Sequence, residues 1–109
     1  MMAEEFVVVL VTVEGTDEAA RLGRALVEER LVACVNVVGP VRSIYRWQET
    51  VEFANEHLMI LKARAADVPA LEARVRALHS YEVPEVLALP VSAGSAPYLA
   101  WLAAATARS

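Results

Sequence analysis

Residues 32 to 64 read VACVNVVGPVRSIYRWQETVEFANEHLMILKAR, two long apolar-rich runs parted only by a short polar turn at Glu49-Thr50. Each arm has room for about 14 residues, or roughly 45 Å of strand at about 3.3 Å per residue. A helix of about 15 residues covers only about 22 Å. A hairpin of this length outruns any helix laid on it, and its overhang needs cover, most simply from another copy of the chain. Gly39-Pro40 interrupts the first arm, where a bulge or kink is expected because proline has no ladder donor.

Working outward, residues 5 to 13 (EFVVVLVTV) form a β-branched run suited to a strand buried on both faces. Gly15-Thr16 ends it, with Thr16 as the expected N-cap of a helix from Asp17 to about Leu31. In that helix Asp17, Arg21, Arg24 and Glu28 mark the wet side, and Ala19, Leu22, Leu26 and Val27 the apolar one. After the hairpin, Asp67 is placed to cap a second helix, in which Val68, Leu71, Val75 and Leu78 share a face and Glu72 and Arg76 stand one turn apart. A fourth strand is expected over 83 to 91, with Pro84 and Pro90 near its ends. Ser95 then caps a terminal helix carrying Tyr98, Trp101, Leu102 and Ala105 on one side.

The order is β-α-β-β-α-β with an added C-terminal helix, an α+β ferredoxin-like arrangement forming one domain over residues 1–109. Right-handed crossovers put both main helices on one face of the sheet. Yet Val7, Val9 and Val11 alternate with Val8 and Leu10 in the first strand, and Met59 and Leu61 with Leu58 and Ile60 in the third. Both faces are apolar, and each large side chain left wet forgoes roughly 1.5 to 3 kcal/mol of burial. A homo-oligomer follows as the expectation.

Composition narrows the function. The apolar share is 57%, but unbroken apolar runs such as Phe6 to Val11 fall far short of a membrane span. The start of the chain lacks the basic segment and cleavage site of a signal peptide, so a cytoplasmic location is expected. Net charge is −4 without a lysine or arginine stripe, which argues against a nucleic-acid partner. Phe53 alone is placed for the aromatic stacking that RNA-binding sheets use. Cys34 is the only cysteine, which excludes an intrachain disulfide and a CxxC site. No nucleophile elbow, phosphate-binding glycine loop or HExxH motif is present, and Glu28-Glu29 read as a solvated pair, so an enzyme is not expected.

The segments LVEERLVACVNVV (26 to 38), SIYRWQ (43 to 48), LHSYEVPEVLALPV (78 to 91) and YLAWL (98 to 102) resemble the signatures of the CutA, or divalent-cation tolerance, family. The resemblance runs in order over nearly the whole chain. It implies a trimer of PII-like architecture, with long hairpins around a threefold axis, and a cytoplasmic role in tolerance of copper and other divalent metals. It also implies copper ligands in some members: a cysteine in the first strand and two adjacent histidines. The matching positions here are Val11, Leu78 and His79, and Ser80 stands where those members have the proline of His-Pro-Tyr.

Two candidate sites follow. His79 and Glu82, just past the second helix, are the candidate ligands for copper(II) or another divalent cation, since imidazole with a nearby carboxylate suits such ions. The plainer alternative is a histidine serving the helix C-terminus beside a solvated glutamate. Cys34, Tyr45, Trp47, Lys62 and Tyr81 form a candidate intersubunit pocket, in which a small anionic metabolite or nucleotide is the alternative ligand. Against it, Cys34 reads as a small buried hydrophobe, Lys62 as a snorkelling cation and the aromatics as packing. His57 reads as structural or exposed.

Overall fold

The computed structural model describes residues 5–108; the first four residues, part of the run on which the leader argument rested, and Ser109 lie outside the described residues. The elements are β1 (Phe6–Val13), α1 (Thr16–Glu28), β2 (Cys34–Trp47), β3 (Thr50–Arg64), a 3-10 turn (Ala65–Asp67), α2 (Val68–Leu78), β4 (Leu87–Pro90) and α3 (Ala96–Ala105). The sheet order is β2-β3-β1-β4, antiparallel throughout. This is the ferredoxin-like βαββαβ arrangement with a long central hairpin and an added C-terminal helix.

Burial follows the two-residue period of the strands. Val7, Val9, Val11 and Val13 of β1 and Met59, Leu61 and Ala63 of β3 point to one face. Leu22 and Leu26 of α1 and Leu71 and Val75 of α2 close that face into the main core. The opposite face carries Val8, Leu10, Leu58 and Ile60, half-buried, with Val38, Leu87 and Leu89 exposed beside them. α3 covers one end of it, where Leu102 packs with Phe6 and Ala33.

The hairpin arms are 14 and 15 residues long, and they stretch a molecule otherwise 26 × 22 Å across to 49 Å. The turn is Gln48-Glu49 rather than Glu49-Thr50: Trp47 faces Thr50 across the ladder, and both turn residues have positive φ (46° and 71°). Two successive left-handed residues match the twist of a two-residue hairpin loop. Thr50 belongs to β3, and its hydroxyl donates to the Trp47 carbonyl at 2.9 Å.

Other local expectations are corrected. Gly15, not Thr16, occupies the N-cap of α1, without a side-chain cap, and the helix ends at Glu28 rather than near Leu31. Asp67 holds the N-cap position of α2 but does not cap it, because its carboxylate binds Arg108 at 2.6 Å. Among the described residues Glu72 and Arg76 form no ion pair; Arg74 instead crosses to Glu29 at 2.8 Å, and Glu28 pairs with Arg24. β4 spans four residues, not nine: its pairing with β1 begins at Leu87 opposite Leu10 and ends at Pro90 opposite Val7. Ser95 does cap α3, accepting from Tyr98 N–H at 3.4 Å. On α3, Leu102 is buried while Tyr98 and Trp101 pair outside, ring centroids 5.4 Å apart.

Candidate functional site

The register of the hairpin positions the site. Cys34, Asn36 and Val38 lie opposite Lys62, Ile60 and Leu58, but beyond Gly39-Pro40 the pairing resumes with Val41 opposite Glu56 and runs on to Tyr45 opposite Glu52. Directly opposed residues share a face, so the bulge moves β2 from showing even-numbered residues on the open face to showing odd-numbered ones. Tyr45 and Trp47 thereby join Glu56 of β3 and Thr12 of β1 on one side. Gly39 is required there: a Cβ would fall 2.5 Å from the His57 ring. His57 itself is half-buried, with Nδ1 lacking a hydrogen-bond partner.

These residues and the segment after α2 line an open cavity of about 570 Å³. The hairpin contributes Tyr45, Trp47 and Glu56, and the segment contributes Tyr81, Glu82 and Glu85. Three residues pin the segment. The His79 Nε2–H donates to the Thr12 carbonyl at 2.7 Å, and its Nδ1 accepts from the Tyr81 N–H at 3.0 Å. The Ser80 N–H and hydroxyl both donate to the Glu18 carboxylate at 2.8 Å. The Tyr81 hydroxyl donates to Glu56 Oε2 at 2.6 Å.

The electrostatics are those of an acidic recess. Glu56 is only 7% exposed, and among the described residues no lysine, arginine or histidine pairs with it. Burial, followed by the hydrogen bond to Glu56 and the charge of that carboxylate, raises the Tyr81 hydroxyl well above its ordinary value. Burial and then the charge of Glu56 raise the Glu85 carboxyl. For Glu18, burial pushes upward, but the hydrogen bonds from the Ser80 N–H and hydroxyl outweigh it and hold the carboxyl low.

The structure brings Tyr45, Trp47, Tyr81 and Glu82 together, and leaves Cys34 and Lys62 elsewhere. Lys62 stands six residues along β3 from Glu56, about 20 Å away on the same face. Its ammonium binds Asn36 Oδ1 and lies 3.9 Å from Cys34 Sγ, and Cys34 is half-buried rather than buried. An anionic ligand therefore finds no cationic side chain among the cavity's lining residues. His79 is buried with both ring nitrogens engaged, so as held it does not fit a metal ligand. Glu56 and Glu85 were not singled out from sequence. Glu56 had a signal, an acidic residue in register with Leu58 and Ile60 on an apolar strand face; Glu85 had none, because the turn of its segment is tertiary.

A four-stranded sheet with two helices on one face and a hairpin that outgrows them defines the long-hairpin class of ferredoxin-like proteins. A model of the CutA1 divalent ion tolerance protein family matches residues 7–105. The divalent-cation tolerance protein CutA of Thermus thermophilus is 50% identical over 95 residues, covering 87% of this chain and 92% of that protein. The chloroplastic CutA of Arabidopsis thaliana is 43% identical over 96 residues, covering 88% of this chain and 53% of its own length. The chain likewise spans about half the length of the mouse and human relatives. The crystal structure of CutA1 from Oryza sativa superposes with a TM-score of 0.92 at 41% identity, covering 96% of both chains. The chain belongs to the CutA1 divalent ion tolerance protein family.

Proposed function

We propose that the chain works as a homotrimer that contributes to divalent-cation tolerance by binding the cations through carboxylates of the hairpin cavity. The observation that carries this reading is that Glu56, Glu82 and Glu85 line one recess that contains no lysine, arginine or histidine. Carboxylate oxygens accept the divalent series, with Cu(II) tightest by the usual order of affinities. Glu82 acts as a direct donor, while His79 positions Tyr81 and Glu82 through its two hydrogen bonds. Among the described residues no three His, Cys, Asp or Glu side chains converge tightly enough in one chain to hold an ion. The full donor set therefore draws on a neighbouring copy. The uncovered apolar sheet face, with exposed Trp47, Val51 and Phe53 on the hairpin, supports that assembly. The cytoplasmic location expected from sequence belongs to the same proposal, as does the role of a binding protein rather than an enzyme.

Calorimetric titration with Mn(II), Zn(II) and Cu(II) tests the binding. Saturable uptake that weakens in Glu82→Gln is the expected result; no saturable uptake of any of the three ions would sink the reading. Light scattering tests the assembly against a protomer of 11.9 kDa. A monomer at micromolar concentration would refute the shared site.

A further inference from the structure

We propose that the hairpin cavity takes an organic dication, an aliphatic diamine or polyamine, with one ammonium on Glu56 and the other towards Glu82 and Glu85. The inference rests on the cavity being the cation site, and it names a class of ligand beyond metal ions. Three observations on different elements lead to it.

The first is the charge of Glu56. More than nine-tenths buried as a residue, it lines the cavity with Oε2 taken by Tyr81 and with Oε1, to which no described residue donates, still accessible. A carboxylate withdrawn this far from water is favoured by a cation placed beside it, and the lining offers none. The second is size. A cavity of about 570 Å³ lies within the range of small-molecule sites, whereas a metal ion needs only oxygen donors closed around it at about 2.0 to 2.6 Å. The third is the wall. Tyr45, Trp47 and Tyr81 line the cavity, and aromatic faces attract alkylammonium groups and bury the methylenes between them. A deep carboxylate at the hairpin and two more on the segment after α2, with aromatic rings beside them, match a chain charged at both ends.

The test is calorimetry on the assembled protein with 1,4-diaminobutane and spermidine, using neutral 1,4-butanediol as control. Saturable binding of the amines but not the diol is expected, at least about tenfold weaker in Glu56→Gln, which keeps a hydrogen-bond acceptor for Tyr81 but removes the charge. Glu82→Gln provides a second reading should Glu56→Gln fold poorly. Tyr45→Leu, in a variant that light scattering shows to assemble as wild type does, separates the two ligands: it should weaken diamine binding while leaving Mn(II) uptake unchanged, and Mn(II) should displace the diamine. Amine binding that ignores Glu56→Gln and Glu82→Gln would place the amine elsewhere and overturn the inference. Mn(II) uptake without amine binding overturns it while the divalent-cation reading stands, and failure of both ligands overturns both.

Discussion

The Tyr81 hydroxyl donates a 2.6 Å hydrogen bond to Glu56 Oε2, and this contact closes the segment after α2 onto the hairpin across the cavity. Removing the hydroxyl in Tyr81→Phe loses a hydrogen bond to a charged acceptor. A loss of about 1 to 2 kcal/mol of stability in urea unfolding is expected. Because the folded Tyr81 value is raised above 10.0, the stability it contributes is full below about pH 10 and falls as pH rises towards the folded value. Tyr81→Phe should show less of that alkaline loss than wild type, and equal alkaline loss in both would contradict the raised value.

His79 ties α2 to β1 through the Thr12 carbonyl and shapes the segment through the Tyr81 N–H. The Thr12 carbonyl only accepts and the Tyr81 N–H only donates, so the ring carries its proton on Nε2. Nitrogen NMR of the imidazole should report that tautomer. His79→Ala should destabilise the protein by about 1 to 3 kcal/mol, since it takes the ring from two half-buried backbone groups. A cost near zero would show that the ring is not a structural bridge.

Glu18 accepts from both the Ser80 N–H and its hydroxyl, with its folded value held below 4.5. A depressed carboxyl contributes stability that is present above the unfolded value and lost as pH falls through the folded one. Between about pH 5 and acid, wild type should therefore lose more stability than Glu18→Gln. Parallel acid-unfolding profiles for the two proteins would remove Glu18 from the account.

Gly39 meets the His57 ring at 2.5 Å from where a Cβ would lie. His57 is held by its pairing with Val13 of β1, so its ring does not yield freely, and Gly39→Ala should cost about 1 to 3 kcal/mol. Truncating the ring opens the space, so the double variant Gly39→Ala with His57→Ala should be more stable than the sum of the single losses. Strict additivity in a thermal-unfolding cycle would show that the ring does not set the need for glycine.

Much of the fold was legible because it rests on local pattern. Val7, Val9 and Val11 against Val8 and Leu10 declared a strand apolar on both faces, and the helical spacing of Leu71 and Val75 declared the face that α2 buries. The hairpin lengths followed from the absence of any breaker between Val41 and Trp47 or between Val51 and Arg64. Caps and ends were less legible. Asp67 looks like a cap because its neighbours are helical, yet Arg108, far along the chain, takes its carboxylate. The start of β4 was not legible either, because pairing with β1 begins only at Leu87 and that depends on the partner strand.

By itself the sequence determined the order of elements, the hairpin longer than its helices and the family, all of which depend on periodicity and on segments read in line. Tertiary structure alone decided the site. The bulge at Gly39-Pro40 reverses which residues of β2 face Glu56, so Tyr45 and Trp47 reach the cavity while Lys62 and Cys34 stay about 20 Å along the sheet. His79, a ligand type in the sequence, spends both nitrogens on Thr12 and Tyr81. Side-chain chemistry can be read from a residue's name, but its availability depends on which partners the fold brings within hydrogen-bonding distance.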